Sequence, residues 1–459
     1  MARIAYWRDL LKNDLWGRVA LLGDALSTGI VVVPEDYHWR DRIWNPMMTF
    51  WTFLIQVLHP GSACREAVAL MLAEQADTSE RRISPDASAY CQARQRVPLS
   101  VFVAALRNVG RCFEGRVLPE LLWHGRRVRV VDGSSCSMPD TAELQSEFGQ
   151  PDAQKPGCGF PVARMVVMFC WATGAILDVV IGAYRSSELT LVGQLWGRLK
   201  ERDIVLADRF YCTYVVVAEL LRRSCDAVFR LHGARSRTMD FRKGKCLGRQ
   251  DRLMTWDRPT IRPRGLSRKQ WMSLPEHITV RVIRFCPQIP GFRSRTIMVA
   301  TTLVDAVAYP LEEIARLYAD RWTVELRLRD VQTTLQMHIL RGKSADIIRK
   351  EILMHLVAYN LIRALMWQAA QQHGRFLHRL SFAGTIARVN AIAPYLWFHA
   401  RRRRARIVYS LLLEWIARDQ LPDRPHRIEP RAVKRRPKKY TRLNRPRHEL
   451  QQILLKATG

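Results

Sequence analysis

The spacing of apolar positions changes character twice along the chain, and those changes divide it. Up to about residue 120, apolar side chains recur at helical intervals in Trp44–Leu58, Ala63–Gln75 and Leu99–Gly110. The turn signals Pro60-Gly61 and Ser84-Pro85-Asp86 separate them. At Arg126 the texture becomes β-branched: RRVRVVDGSS (126–135) reads as a strand running into a turn at Asp132-Gly133. A polar loop ending in PGCGFP (156–161) follows. Two apolar strands within Ala163–Tyr184 then join at Thr173-Gly174 as a hairpin. A helix over Ser187–Leu199, a strand over Asp203–Phe210, a helix over Tyr214–Arg223 and a strand over Cys225–Gly233 complete the series. The order β–ββ–α–β–α–β predicts an α/β layer, a mixed sheet with helices on its faces.

Periodicity fades between Ala234 and Arg295, where the basic run GARSRTMDFRKGKCLGRQDR carries little apolar pattern. His277–Cys286 and Arg295–Leu303 resume as strands, so this region reads as a β-rich insertion. PLEEIARLYADRWTVELRLRDVQTTLQM (310–337) then reads as one long helix, with Pro310 at its first position and Glu312 and Glu313 in a first turn that favours negative charge. Helices follow over Ala345–Gln371 and Ser381–Ala393. The chain ends in the basic clusters RRRRAR (401–406) and RAVKRRPKKYTRLNRPRH (431–448). The second cluster is Pro-interrupted and poor in apolar residues, which predicts an extended arm. The expected organisation is a helical region over 1–120, a core over 121–233, the insertion over 234–295, a second core segment over 296–345, and a helical region with a basic tail over 346–459.

Within the 310–337 helix, Leu317, Val324, Leu328, Val331 and Leu335 share a stripe roughly 60° wide, the core face. Beside it lie Tyr318, Arg321, Glu325 and Gln332. Glu325 has Arg321 and Arg329 four residues away on either side, the spacing of an ordinary ion-pair ladder. By itself the stripe fits a solvated ladder or half of an active site.

Composition narrows the choice. The chain has 459 residues and a formal net charge of +31, from 73 Lys+Arg against 42 Asp+Glu. Such a charge calls for a polyanion, and the predominance of arginine, whose fork suits phosphate, makes nucleic acid the leading partner. Binding set by charge falls steeply with salt; an affinity for DNA unchanged between low and moderate salt would contradict this reading. The N-terminus MARIAYWRDLLKND has no apolar signal segment, and MMTFWTFLIQVL (47–58) is too short to span a bilayer. Ten scattered cysteines form no CxxC pair, which argues against a zinc ribbon or a disulfide framework and for a reduced, intracellular protein.

In a chain this basic, acids at strand ends stand out. Asp132 and Asp208 each close an apolar strand, where α/β sheets place functional groups, although Asp is also a common turn former. With Glu325 they make three carboxylates, a donor set suited to two Mg²⁺ ions that clamp the attacking and leaving oxygens of a phosphodiester.

These features together resemble a DDE transposase of bacterial insertion sequences, specifically the IS-four family with its Y-x₂-R-x₃-E-x₆-K signature. Tyr318, Arg321 and Glu325 match it; Gln332 stands where the lysine belongs. VVDGSSCSMPD (130–140), QKPGCGFP (154–161), LADRFYC (206–212), LRGKS (340–344) and VKRRPKKY (433–440) also resemble that family's segments, so the likeness runs over most of the chain. It implies an α/β, RNase H-like mixed-sheet catalytic core interrupted by the β-rich insertion, with helical regions at both ends.

The resemblance further implies that Asp132, Asp208 and Glu325 are catalytic and hold two Mg²⁺ ions, with Mn²⁺ as a substitute. Water cuts one strand at the transposon end, and the released 3′-hydroxyl attacks a second phosphodiester. Tyr318, Arg321, Arg329, Gln332 and Arg209 would contact DNA, Tyr318 without acting as a nucleophile. The partners are double-stranded DNA, at the inverted-repeat ends and the target, and a second copy in a homodimeric synaptic complex. The protein would work in the bacterial cytoplasm, associated with the nucleoid, with no membrane partner. Gln332 donates a hydrogen bond but no charge, which weakens phosphate contact. The alternative is a catalytically weakened copy that only binds DNA.

Overall fold

The computed structural model describes residues 33–39, 42–75, 84–263, 265–287, 296–398, 403–422 and 443–458. The expectations for the N-terminal segment, for Arg401 and Arg402, and for the basic arm as far as residue 442 lie outside the described residues. The chain divides into two compact units. One draws on Met1–Leu121, Ala172–Asp178 and Leu326–Pro422, the other on Leu122–Trp171, Val179–Glu325 and Asp423–Gly459.

The first unit is helical, built around the 28-residue helix Ala345–Gln372. Ser344 caps it by accepting from the Ile347 amide, and Asp346 sits in its first turn. Most of its residues are buried, polar ones such as Lys350, Glu351 and Asn360 included, the mark of a central helix. It packs against Pro46–Leu58, Leu99–Glu114 and Arg403–Arg418. The hairpin tip 172–178 belongs to this unit. The Asn360 side chain receives the Ile176 amide and donates to the Ile176 carbonyl, both at 2.7 Å. Tyr359 donates to the Gly174 carbonyl at 3.0 Å. Gly174 turns the hairpin at φ 75°, a backbone conformation that L side chains resist.

A nine-stranded sheet of order β3-β2-β1-β4-β5-β9-β8-β7-β6 organises the rest. Its strands are β1 Val128–Ser137, β2 Val162–Cys170, β3 Ile176–Ala183, β4 Ile204–Ala207, β5 Asp226–Arg230, β6 Lys245–Gly248, β7 Asp251–Asp257, β8 His277–Phe285 and β9 Ile297–Thr301. β1 runs antiparallel to β2 and parallel to β4, which runs parallel to β5; β9 returns antiparallel to β5 and β8. This is the mixed sheet that the pattern predicts, and its strand order fits the RNase H-like core that the resemblance implies. β4 is buried at every position, as strands covered on both faces must be.

The register of β1 on β4 is fixed by charge as well as by apolar fit. Buried Asp203, just before β4, accepts from Arg129 Nε at 3.0 Å, at the start of β1, and from Arg127 Nε at 2.8 Å, just before it. That pinning pairs Val131 with Ala207, the last residue of β4.

The insertion proves more regular than its sequence. Gly233–Thr238 forms a short helix, and β6 and β7 form within the basic run and just after it, extending the core's own sheet. The 310–337 stretch differs from expectation in the other direction. It is not one helix: Pro310 caps Leu311–Asp320, Arg321 interrupts it, Trp322–Arg329 resumes, and Asp330–Thr334 loosens into a π-helix. The Arg321 amide bonds three residues back, to Tyr318, rather than four, which tightens the backbone at that point.

Candidate active site

Asp132 and Asp208 meet because of strand geometry. Asp132 is not strand-terminal, as the turn signal suggested; β1 continues to Ser137 alongside β2, with Asp132 opposite Val167. On its other side, however, the parallel ladder with β4 stops at the Val131–Ala207 pair. Asp132 and Asp208 are the next positions along each strand. They therefore stand side by side where the parallel ladder ends, at the carboxyl end of β4, the edge at which open α/β sheets bind ligands.

Asp132 is largely buried, and its carboxylate accepts from the Gly133 amide at 3.0 Å. Burial pushes this carboxyl up to about 6, against the pull of Arg321 and the Gly133 amide; the charges of Glu325 and Asp208 add to the rise.

Glu325 reaches the same neighbourhood from its helix through Arg321. The Arg321 guanidinium lies 3.1 Å from Glu325 Oε1 and 3.8 Å from Asp132 Oδ2. It is buried, with the rings of Tyr318 and Trp322 beside it at 5.8 and 5.9 Å. Tyr318 is fully buried, edge-on to Phe285 and Trp322. As folded it supports Arg321 and presents nothing to solvent. Arg209 is exposed in the 3₁₀ turn directly after Asp208. Arg329, exposed, and Gln332, half-buried, fall in the helical unit.

Two residues that the sequence reading passed over also border the carboxylates. Tyr211, buried, donates to Glu188 Oε2 at 3.1 Å. Burial pushes the Tyr211 phenol up, and the charges of Glu188, Asp132 and Asp208 add to this. The Glu188 carboxylate lies so close to Gly133 that a methyl built there would come within 2.3 Å of Oε2. A side chain at 133 would have to displace that carboxylate. A lone Glu in the first turn of a helix looks like any dipole-favoured acid, so the pattern gave it no weight.

The donor chemistry suits a hard divalent cation: three carboxylate side chains, one of them buried beside like charges. As they stand, no three His, Cys, Asp or Glu side chains among the described residues are grouped closely enough to hold a metal ion. Glu325 is turned to Arg321 instead.

Comparison with known proteins now bears on the arrangement. The family model of the transposase DDE domain matches residues 123–361, more than half of the chain. The chain belongs to the DDE transposase family. It is 26% identical over 367 residues to the transposase InsG for insertion sequence element IS4 of Escherichia coli (strain K12), covering 77% of each protein. A solved piggyBac transposase synaptic complex with hairpin DNA is similar with a TM-score of 0.47 and 7% identity, over 89% of this chain and 83% of that one. DDE transposases cut and rejoin DNA with divalent metal ions. No helix among the described residues is long and apolar enough to cross a membrane.

Proposed function

We propose that this transposase cuts and joins insertion-sequence ends through Asp132, Asp208 and Glu325, acting on two Mg²⁺ ions. The observation that carries the assignment is the register of β1 on β4, which sets two carboxylates side by side next to the buried Arg321. Bound divalent ions would polarise the scissile phosphodiester and activate the attacking hydroxyl. The protein's own part is placement. The Asp203–Arg129 pin holds the two strand ends level. Tyr211 and Glu188 fix the turn after Asp208 from one side. Arg321 offers a fixed guanidinium fork to phosphate, and Arg209 an exposed one.

We further propose residues 121–233 and 296–345 as the catalytic core, 234–295 as its insertion, and a homodimer as the form that pairs two ends. The deciding experiment incubates the protein and Mg²⁺ with DNA carrying the inverted repeats that flank its coding region. Strand-transfer joints are expected. Binding without cutting would remove the catalytic reading, and cutting without joints would leave a nuclease.

Gln332 favours the weakened-copy reading, and it makes a direct prediction. Gln332→Lys should raise affinity for the ends and steepen the salt dependence by about one unit of slope, through one more phosphate contact. Filter binding at a series of salt concentrations measures both. An unchanged slope would place residue 332 away from DNA.

A further inference from the structure

Carboxylates gathered at one strand edge repel one another, and the folded chain answers with a cation of its own. The Arg321 side chain is only 5% exposed, and its two terminal nitrogens point at different acids, Asp132 and Glu325. Asp208 also acts on it electrostatically. One guanidinium thus serves all three members of the proposed catalytic trio. The rings of Tyr318 and Trp322 hold it there. Its grip is uneven. The Asp132 contact is longer than a hydrogen bond, and the Glu325 side chain is 58% exposed, so solvent screens that pair and little holds Glu325 in place.

We propose that Arg321 is the resident counter-cation of the carboxylate centre and competes with divalent metal for it. The inference rests on the trio being the metal ligands. Like charges exclude each other at this range, so metal entry draws Glu325 off Arg321 and weakens the hold of Asp132 on it. The displaced guanidinium remains caged by Tyr318 and Trp322, with its fork free for the phosphate of a DNA end. Metal and DNA phosphate then favour one another's binding, because each relieves a charge conflict the other creates. The same arginine would lower metal affinity without DNA and raise end-processing with it.

The test is titration of the DNA-free protein with Mn²⁺, read by the electron paramagnetic resonance signal of the free ion. Arg321→Gln is expected to bind Mn²⁺ about tenfold tighter than wild type while processing DNA ends worse. Asp208→Asn should abolish the binding in either background. If Arg321→Gln left Mn²⁺ affinity unchanged or weaker while Asp208→Asn still abolished it, the competition is wrong and the metal site stands. If Asp208→Asn bound Mn²⁺ like wild type, the site assignment itself fails. Arg321→Met, whose unbranched stem fits between the two rings, answers the same question if the glutamine variant does not fold, and it carries the same expected tightening.

Discussion

Asp208→Asn should bind inverted-repeat DNA as tightly as wild type and cut it at least about a thousandfold more slowly, a loss of roughly 4 kcal/mol in transition-state stabilisation. The reasoning starts from what the side chain does for the fold, which is little. Asp208 sits at the cap position of the Arg209–Tyr211 turn, yet its side chain makes no capping bond. Asparagine keeps the volume and removes a charge that Asp132 experiences as repulsive. Folding should therefore be unharmed or slightly helped, and thermal melting checks that directly. Catalysis should collapse, because an amide cannot replace a carboxylate toward a hard divalent cation. Asp132→Asn should behave likewise, keeping its hydrogen bond from Gly133 through the amide oxygen. Glu325→Gln frees Arg321 from one partner and should also be inactive. Cleavage by Asp208→Asn within tenfold of wild type, measured on end-labelled DNA, would end the proposal.

What the sequence made legible followed from periodicity, and what it hid followed from contacts between distant segments. The strands carrying Asp132 and Asp208 were plain as β-branched and apolar runs. The reason the acids meet was not: Asp132 lies within β1, and only the early end of β4 makes its position a sheet edge. No local signal encodes the length of a neighbouring strand. Tyr318 shows the same limit. Its place beside the apolar stripe looked amphipathic, but Phe285, brought in by β8, covers it. The long helix was overestimated because its stripe continues through the break at Arg321 and the π-turn, where apolar spacing survives a change in hydrogen bonding. β6 and β7 were missed because their side chains are mostly exposed or half-buried; their partners in the sheet, not an apolar face, define them. Glu188 and Tyr211 become visible only once a hydrogen bond joins them across 23 residues of chain.

Arg281→Ala should cost about 3–5 kcal/mol of stability, the largest single loss expected outside the apolar core. Arg281 projects from β8 with 1% of its side chain exposed. Its Nε lies 2.9 Å from Asp251 Oδ1, and its Nη2 2.5 Å from Oδ2, on the neighbouring strand β7. Its remaining nitrogen donates to the Tyr309 carbonyl at 2.7 Å and reaches those of Leu303 and Asp305 at 3.4 and 3.3 Å. Truncation would leave Asp251 as a buried, unpaired charge and take the guanidinium donor from the Leu303 and Tyr309 carbonyls, while the Asp305 carbonyl keeps the Tyr309 amide. Lysine would restore charge but not the fork, so Arg281→Lys should recover only part of the loss. The 303–309 segment leads directly into the helix Leu311–Asp320, which ends at Arg321 just before the helix carrying Glu325, so the pair also has a positional role. Replacing both partners at once, Arg281→Met with Asp251→Leu, separates the two roles. Removing a buried ion pair whole is often neutral, so urea unfolding should return close to wild-type stability. Strand cleavage should stay depressed, because the carbonyls before the glutamate helix have lost their tether. Full recovery of both stability and cleavage in the double variant would mean that the insertion steadies the fold without aligning the site.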